Sequence, residues 1–179
     1  MEELWNKVVT EGDETVRTLL VLRHAKSSWK DAGLADHDRP LNKRGEKNAP
    51  AMGKLIKMEG LTPQWIASST ALRARKTAEE AARGSGYSGT IHYDEELYLA
   101  QPAGILDVLQ RTVPDSATRI LIVGHNPGLE ELVGTLTAQR EPFPTGALAQ
   151  IELPITSWSE LTRTLKGKLI HLWCPRDFD

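Results

Sequence analysis

The sequence carries a single cysteine, Cys174, so no internal disulfide can staple the fold. That scarcity fits a reducing compartment. A chain of 179 residues is long enough to bury a core without disulfide or metal support. Charge of one sign is lacking too. A net charge of −2 provides no broad basic footprint for nucleic acid. No apolar stretch approaches the length of a bilayer-spanning helix. Residues Met1–Thr10 have neither the basic start nor the apolar centre of a secretory leader. The expectation is a cytoplasmic, monomeric protein that engages neither nucleic acid nor membrane. Several chemical signatures are also missing. No H-x-H, H-E-x-x-H or paired C-x-x-C spacing offers a metal site. No G-x-x-x-x-G-K-[ST] loop or G-x-S-x-G elbow points to a nucleotide kinase or a serine hydrolase. Cys174 precedes Pro175-Arg176, without the arginine spacing of a cysteine phosphatase loop, and reads as a core or capping thiol.

What is present is a pair of apolar runs that end alike. Leu19–Leu22 leads into Arg23-His24, and Ile120–Gly124 leads into His125. Runs of this kind read as strands buried on both faces, typical of mostly parallel sheets. In such sheets ligands bind beyond the carboxyl ends of the strands. Two imidazoles at two strand ends therefore share one site, and the neighbouring arginine points to an anionic ligand.

The rest of the chain alternates strand-like and helix-like segments. Strands are predicted over 19–23, 65–68, 91–93, 120–123, 148–153 and 168–173. Helices are predicted over 41–58, 71–82 and 102–110, and from Asn126-Pro127 to about Leu136. Pro50 should kink the first helix or shift its start. Ser69 or Thr70 is the candidate cap of the second, and Gly84 its stop. In the fourth, Asn126 caps and Pro127 takes the first helical position. This alternation predicts a three-layer α/β/α sandwich around a mostly parallel sheet, with residues 18–179 as one domain. The polar lead-in 1–17 is expected to be a frayed helix or an ordered edge. The stretch Ala25–Pro40 is an irregular loop, and loops this long inside compact domains are usually functional or disordered.

Chemistry gathers at three points. Arg73 falls in the first turn of the second helix, where free N–H groups and the helix dipole favour an anion. Arg23, Arg73 and that helix end would form a phosphoryl pocket, because guanidinium forks match phosphate oxygens. By charge alone Arg75 and Lys76 compete with Arg73. A neutral imidazole beside bound phosphate is a nucleophile, able to split the displacement into two steps. The surrounding positive charge should depress its pKa. His125, just before a helix N-terminus, is placed to donate to the transferring phosphoryl oxygens. Arg44, His37, His92 and His171 read as surface or structural residues.

Four segments in order carry a resemblance: Leu22–Ala25, Arg39–Gly45, Ser68–Ala78 and Val123–Pro127. Together they resemble the histidine phosphatase superfamily, with its phosphoglycerate-mutase-like fold, and its small SixA-type phosphohistidine phosphatase branch. The resemblance implies His24 as the phosphorylated nucleophile, with Arg23, Arg73 and His125 as its catalytic and phosphate-binding partners. It implies no metal and no organic cofactor. The chain departs from the pattern at Ala25, where a glycine is usual. The larger members use a glutamate general acid after the third strand. Here that segment is Asp94-Glu95-Glu96-Leu97-Tyr98, and either Glu95, Glu96 or neither would act. Little room remains for a lid other than Ala25–Pro40, where Lys26 and Ser27 would rim the phosphate site and Trp29 would pack on a partner. The expected function is hydrolysis of phosphohistidine borne on a protein. The alternatives are a phosphomonoesterase for a small phosphorylated metabolite and a non-catalytic phosphate-binding module.

Overall fold

A computed structural model describes residues 16–178. Of the polar lead-in, residues 1–15 lie outside the described residues, and Arg17 already belongs to the first strand. The two apolar runs become neighbouring strands, β1 (Arg17–Arg23) and β4 (Arg119–Gly124), paired in parallel with Arg23 opposite Gly124. With β2 (Trp65–Ser69), β3 (Ile91–Asp94), β5 (Leu148–Leu153) and β6 (Lys168–Trp173) they form a six-stranded sheet ordered β3-β2-β4-β1-β5-β6. The β3-β2-β4-β1 half is parallel, and β5 runs antiparallel to both β1 and β6.

The continuous apolarity of β1 follows from strand geometry, since alternate residues face opposite sides. Leu19 and Val21 pack on one side, against Ile105, Leu109, Leu129 and Leu132. Leu20 and Leu22 pack on the other, against Met52, Ile56, Ala74 and Ala78. These partners come from α3 (Pro102–Thr112) and α4 (Gly128–Thr137) on the first side, and from α1 (Lys43–Met58) and α2 (Leu72–Ser85) on the second. The result is the three-layer α/β/α arrangement around a mostly parallel sheet. No helix among the described residues is long and apolar enough to cross a membrane.

Helix boundaries differ from the sequence reading where packing overrides local signals. α1 starts at Lys43 under an Asn42 cap, whose side chain accepts from Gly45 N at 2.9 Å. It continues through Pro50, whose missing N–H leaves the carbonyl of Glu46 without its helical donor. Gly84 does not stop α2. A Cβ there would lie 2.8 Å from the backbone of Gly53, so the two glycines let α1 and α2 touch. The stop is Gly86, in the left-handed conformation at φ 79°. The residue preceding α2 is Ala71, and Ser69 Oγ accepts from its N–H at 3.2 Å. Pro127 sits one residue before α4 rather than inside it. Asn126 still caps, accepting from Glu130 N at 3.3 Å. The first residue of α4 is pressed on the segment that leads into α3, since a Cβ on Gly128 would meet Ala100 O at 1.8 Å.

Candidate active site

Three parallel strands end side by side and deliver the functional groups. β1 ends in Arg23 and His24, β4 in Gly124 and His125, and β2 runs through Ser69 into α2 and Arg73. His24 N donates to Gly124 O at 3.0 Å, which ties the two strand ends together. A cleft of about 330 Å³ opens there, lined by Arg23, His24, Arg39, Arg73 and His125, with Asp36 at its edge. Lys26 and Ser27 line it as well.

The imidazoles of His24 and His125 lie 5.1 Å apart, tilted by 55°. His24 Nδ1 lies 2.8 Å from Ala25 O, which fixes the proton on Nδ1 because a carbonyl only accepts. The lone pair is thus on Nε2, facing Arg73 Nε at 3.4 Å. Burial chiefly, then the charges of Arg73, Arg23 and Arg39, lowers the pKa of His24 to about 4 against the opposing Ala25 carbonyl. Burial again, followed by His24 and Arg73, lowers that of His125 to about 3. Both rings are neutral near pH 7. His125 Nε2 lies 2.7 Å from Ser69 Oγ, and its Nδ1 lies 3.5 Å from Arg73 Nη2.

Arg73 is buried at the first turn of α2. Its placement is supported by Thr77, whose Oγ1 donates to Arg73 O at 2.7 Å and accepts from Ala25 N at 3.0 Å. Arg23 Nη1 donates to Phe143 O at 2.9 Å, while its Nε is buried without a hydrogen-bond partner. The motif Arg39–Gly45 closes the long loop. Asn42 N donates to Lys26 O at 2.9 Å and Ser28 N to Pro40 O at 2.8 Å. Gly45 is needed at this crossing, because a Cβ would stand 2.1 Å from Lys26 O.

The structure thus brings His24, His125, Arg23, Arg73, Lys26 and Ser27 to one cleft. Glu95 and Glu96 are elsewhere. Asp94 accepts from Glu96 N at 2.8 Å and starts a tight turn over Glu95–Leu97. That turn buries Leu97 and leaves both glutamates exposed, with Glu96 paired to Arg111 at 2.8 Å. What this segment contributes instead is Tyr98, whose ring meets His125 edge-on at 5.4 Å.

Three residues escaped the sequence reading as site residues. Arg39 is buried, donates to Ser27 Oγ at 2.8 Å, and has its guanidinium 3.5 Å above the Trp29 ring. Its signal was the quoted Arg39–Gly45 motif, to which no role was given. Asp36 accepts from Arg39 Nε at 3.0 Å, from Arg73 Nη2 at 3.0 Å and from the Tyr98 hydroxyl. The Tyr98 hydrogen bond first, then those of Arg73 and Arg39, hold its carboxyl far below the usual carboxylate range against the effect of burial. Tyr98 is the third; burial and then Asp36 raise its hydroxyl pKa, so it stays protonated. His37, read as structural or exposed, secures the loop: its Nε2 lies 2.8 Å from Thr70 Oγ1 and its ring meets Tyr98 edge-on.

Comparison with known proteins gives a consistent set. The model of the histidine phosphatase superfamily (branch 1) matches residues 19–98. An uncharacterised chloroplast protein of Arabidopsis thaliana is 35% identical over 153 residues, covering 80% of this chain and 70% of that protein. A solved structure from Nakamurella, bearing the name phosphohistidine phosphatase SixA, superposes with a TM-score of 0.77 at 25% identity. It covers 89% of this chain and 96% of its own. A structure of the same name from Agrobacterium tumefaciens gives 0.75 at 28% identity, covering 89% and 98%.

Proposed function

The chain belongs to the histidine phosphatase superfamily, in its SixA-type branch, and its chemistry is that of a phosphatase; we propose that its substrate is phosphohistidine carried on a protein. The observation that carries this reading is the lining of the cleft. Asp36 is the one carboxylate among the described residues that line it, and its hydrogen bonds keep it ionised. An alkoxide leaving group needs a proton from an acid. A protonated phosphohistidine ring brings its own proton and departs as neutral imidazole, so it needs no such acid.

The steps follow from the geometry. The Nε2 lone pair of His24 attacks phosphorus, and the substrate N–P bond breaks with its electron pair returning to the departing ring. Phosphorylated His24 is then a cation whose Nδ1–H donates to Ala25 O, the contact present at 2.8 Å. Arg73 and the unpartnered Nε of Arg23 supply donors to the phosphoryl oxygens. Ser69 Oγ accepts from Ala71 N and lies 2.7 Å from His125 Nε2, while Arg73 Nη2, which can only donate, faces Nδ1 at 3.5 Å. The neutral ring of His125 thus carries its hydrogen on Nε2 and steadies Arg73 Nη2 beside the phosphoryl oxygens. In the second step water attacks phosphorus, the P–Nε2 bond breaks with its electron pair returning to Nε2, and dihydrogen phosphate leaves with both water protons while His24 keeps its Nδ1–H.

The test is phosphate release from a phosphohistidine peptide and from an alkyl ester such as glycerol phosphate, each beside His24→Ala. The expected result is a kcat/KM for the peptide at least about tenfold higher, or about 1.4 kcal/mol of discrimination, abolished in the variant. Faster hydrolysis of the ester would move the assignment to a metabolite phosphomonoesterase. Phosphate binding without turnover of either would make the cleft a recognition module.

A further inference from the structure

A carboxylate within a pocket for an oxyanion needs a reason, because it competes for the same guanidinium groups. The contacts of Asp36 supply one. Arg73 Nη1 donates to the main-chain carbonyl of Asp36 at 2.6 Å, and Arg73 Nη2 donates to Asp36 Oδ2 at 3.0 Å. The guanidinium is therefore held along one edge. Its Nε–H is left toward His24 Nε2 at 3.4 Å, the atom that would bear the phosphoryl group. The second hydrogen on Nη2 remains on the side of His125 Nδ1, 3.5 Å away. The other carboxylate oxygen, Oδ1, accepts from Arg39 Nε at 3.0 Å. Arg39 is further tied by Ser27 Oγ at 2.8 Å and Ser28 O at 3.3 Å. The Tyr98 hydroxyl completes the shell around Oδ2.

We infer that Asp36 is a positioning residue: it bridges Arg73 and Arg39 from behind and turns the inner edge of Arg73 toward a phosphoryl group on His24. The inference rests on the phosphate reading of the cleft. Each long arginine side chain loses rotamer freedom when it binds phosphate. A bridge that freezes both beforehand removes that cost from the binding step. It also offsets part of the mutual repulsion of Arg23, Arg39 and Arg73 around the cleft. Asp36 itself is half-exposed, with 42% of its side-chain surface accessible, so replacing it does not open the core.

The experiment is titration of the intact chain with inorganic phosphate, followed by calorimetry, for wild type, Asp36→Asn and Asp36→Ala, with a melting curve for each. The amide keeps one acceptor oxygen, and its main-chain carbonyl still holds Arg73 Nη1. The expected order is graded. Asp36→Ala weakens phosphate binding by about tenfold or more, the weight of charge-assisted hydrogen bonds. Asp36→Asn falls between it and wild type, with melting temperatures close to one another. A merely structural role would track the melting temperature and would not show this partial rescue. Unchanged or tighter phosphate binding in Asp36→Ala would overturn the inference, because Asp36 would then be an idle neighbour or a competing anion. Phosphate binding needs no turnover, so its retention in a wild-type chain inactive on phosphohistidine would sink the substrate reading alone. No phosphate binding by wild type would overturn both.

Discussion

Lowering the pH from 7 to 5 will cost this fold about 4 kcal/mol that a variant lacking His24 and His125 will not lose. Burial chiefly holds the two imidazoles at pKa values of about 4 and about 3. In the unfolded chain the same groups return to about 6.5. Both folded values lie below their unfolded ones, so the unfolded state takes up protons first as pH falls, and stability falls with it. The loss starts near the unfolded value and is complete only below about 4 for His24 and about 3 for His125. At pH 5 both folded rings are still neutral, so the loss is set by the unfolded pKa and amounts to about 2 kcal/mol for each ring. Urea unfolding at pH 7 and pH 5, in buffer free of phosphate, measures it for wild type and for His24→Asn/His125→Asn. Wild type is expected to lose about 4 kcal/mol more than the double variant. Equal losses would refute the reasoning, since the two rings would then be titrating as in water. Adding phosphate at pH 5 should recover more stability in wild type than in the double variant, because both keep the arginines that bind the anion but only wild type gains from its pairing with protonated imidazole.

Three substitutions probe the loop and the absent acid. Gly45→Ala places a methyl group 2.1 Å from Lys26 O, so the loop start must shift away from α1; a loss of about 1–3 kcal/mol in urea unfolding is expected. Its kcat/KM should fall by about tenfold or more, as a small misplacement of catalytic groups is costly. Glu95→Gln and Glu96→Gln should leave kcat/KM within about twofold of wild type, because both side chains stand in solvent outside the cleft. A large loss of ester hydrolysis in either would restore a general acid to the β3 segment.

The layered fold was legible because its cause is local. Leu19–Leu22 and Ile120–Val123 are apolar at every position, as strands covered on both faces must be. The convergence of His24, Arg23, His125 and Arg73 followed from the rule that parallel strands present their carboxyl ends to one crevice. Asp36, Arg39 and Tyr98 were not legible as a unit, because their contacts join residues far apart in sequence across an irregular loop. No periodicity announces that Tyr98 meets Asp36. The choice among Glu95, Glu96 and neither stayed open in the sequence for a related reason: a side-chain turn at Asp94 decides which way the two glutamates face. Gly84 misled as a helix stop because a glycine at a helix–helix crossing with Gly53 looks, in sequence, like one that ends a helix.

The most direct test of the central claim is to trap the phosphorylated enzyme. A radiolabelled phosphohistidine protein is mixed with the chain, quenched in alkali within one turnover, and the label is located by peptide mapping. The account expects an acid-labile, alkali-stable phosphoryl group on His24, absent from His24→Ala. Turnover with no enzyme-bound label, or with label on any other residue, would contradict it.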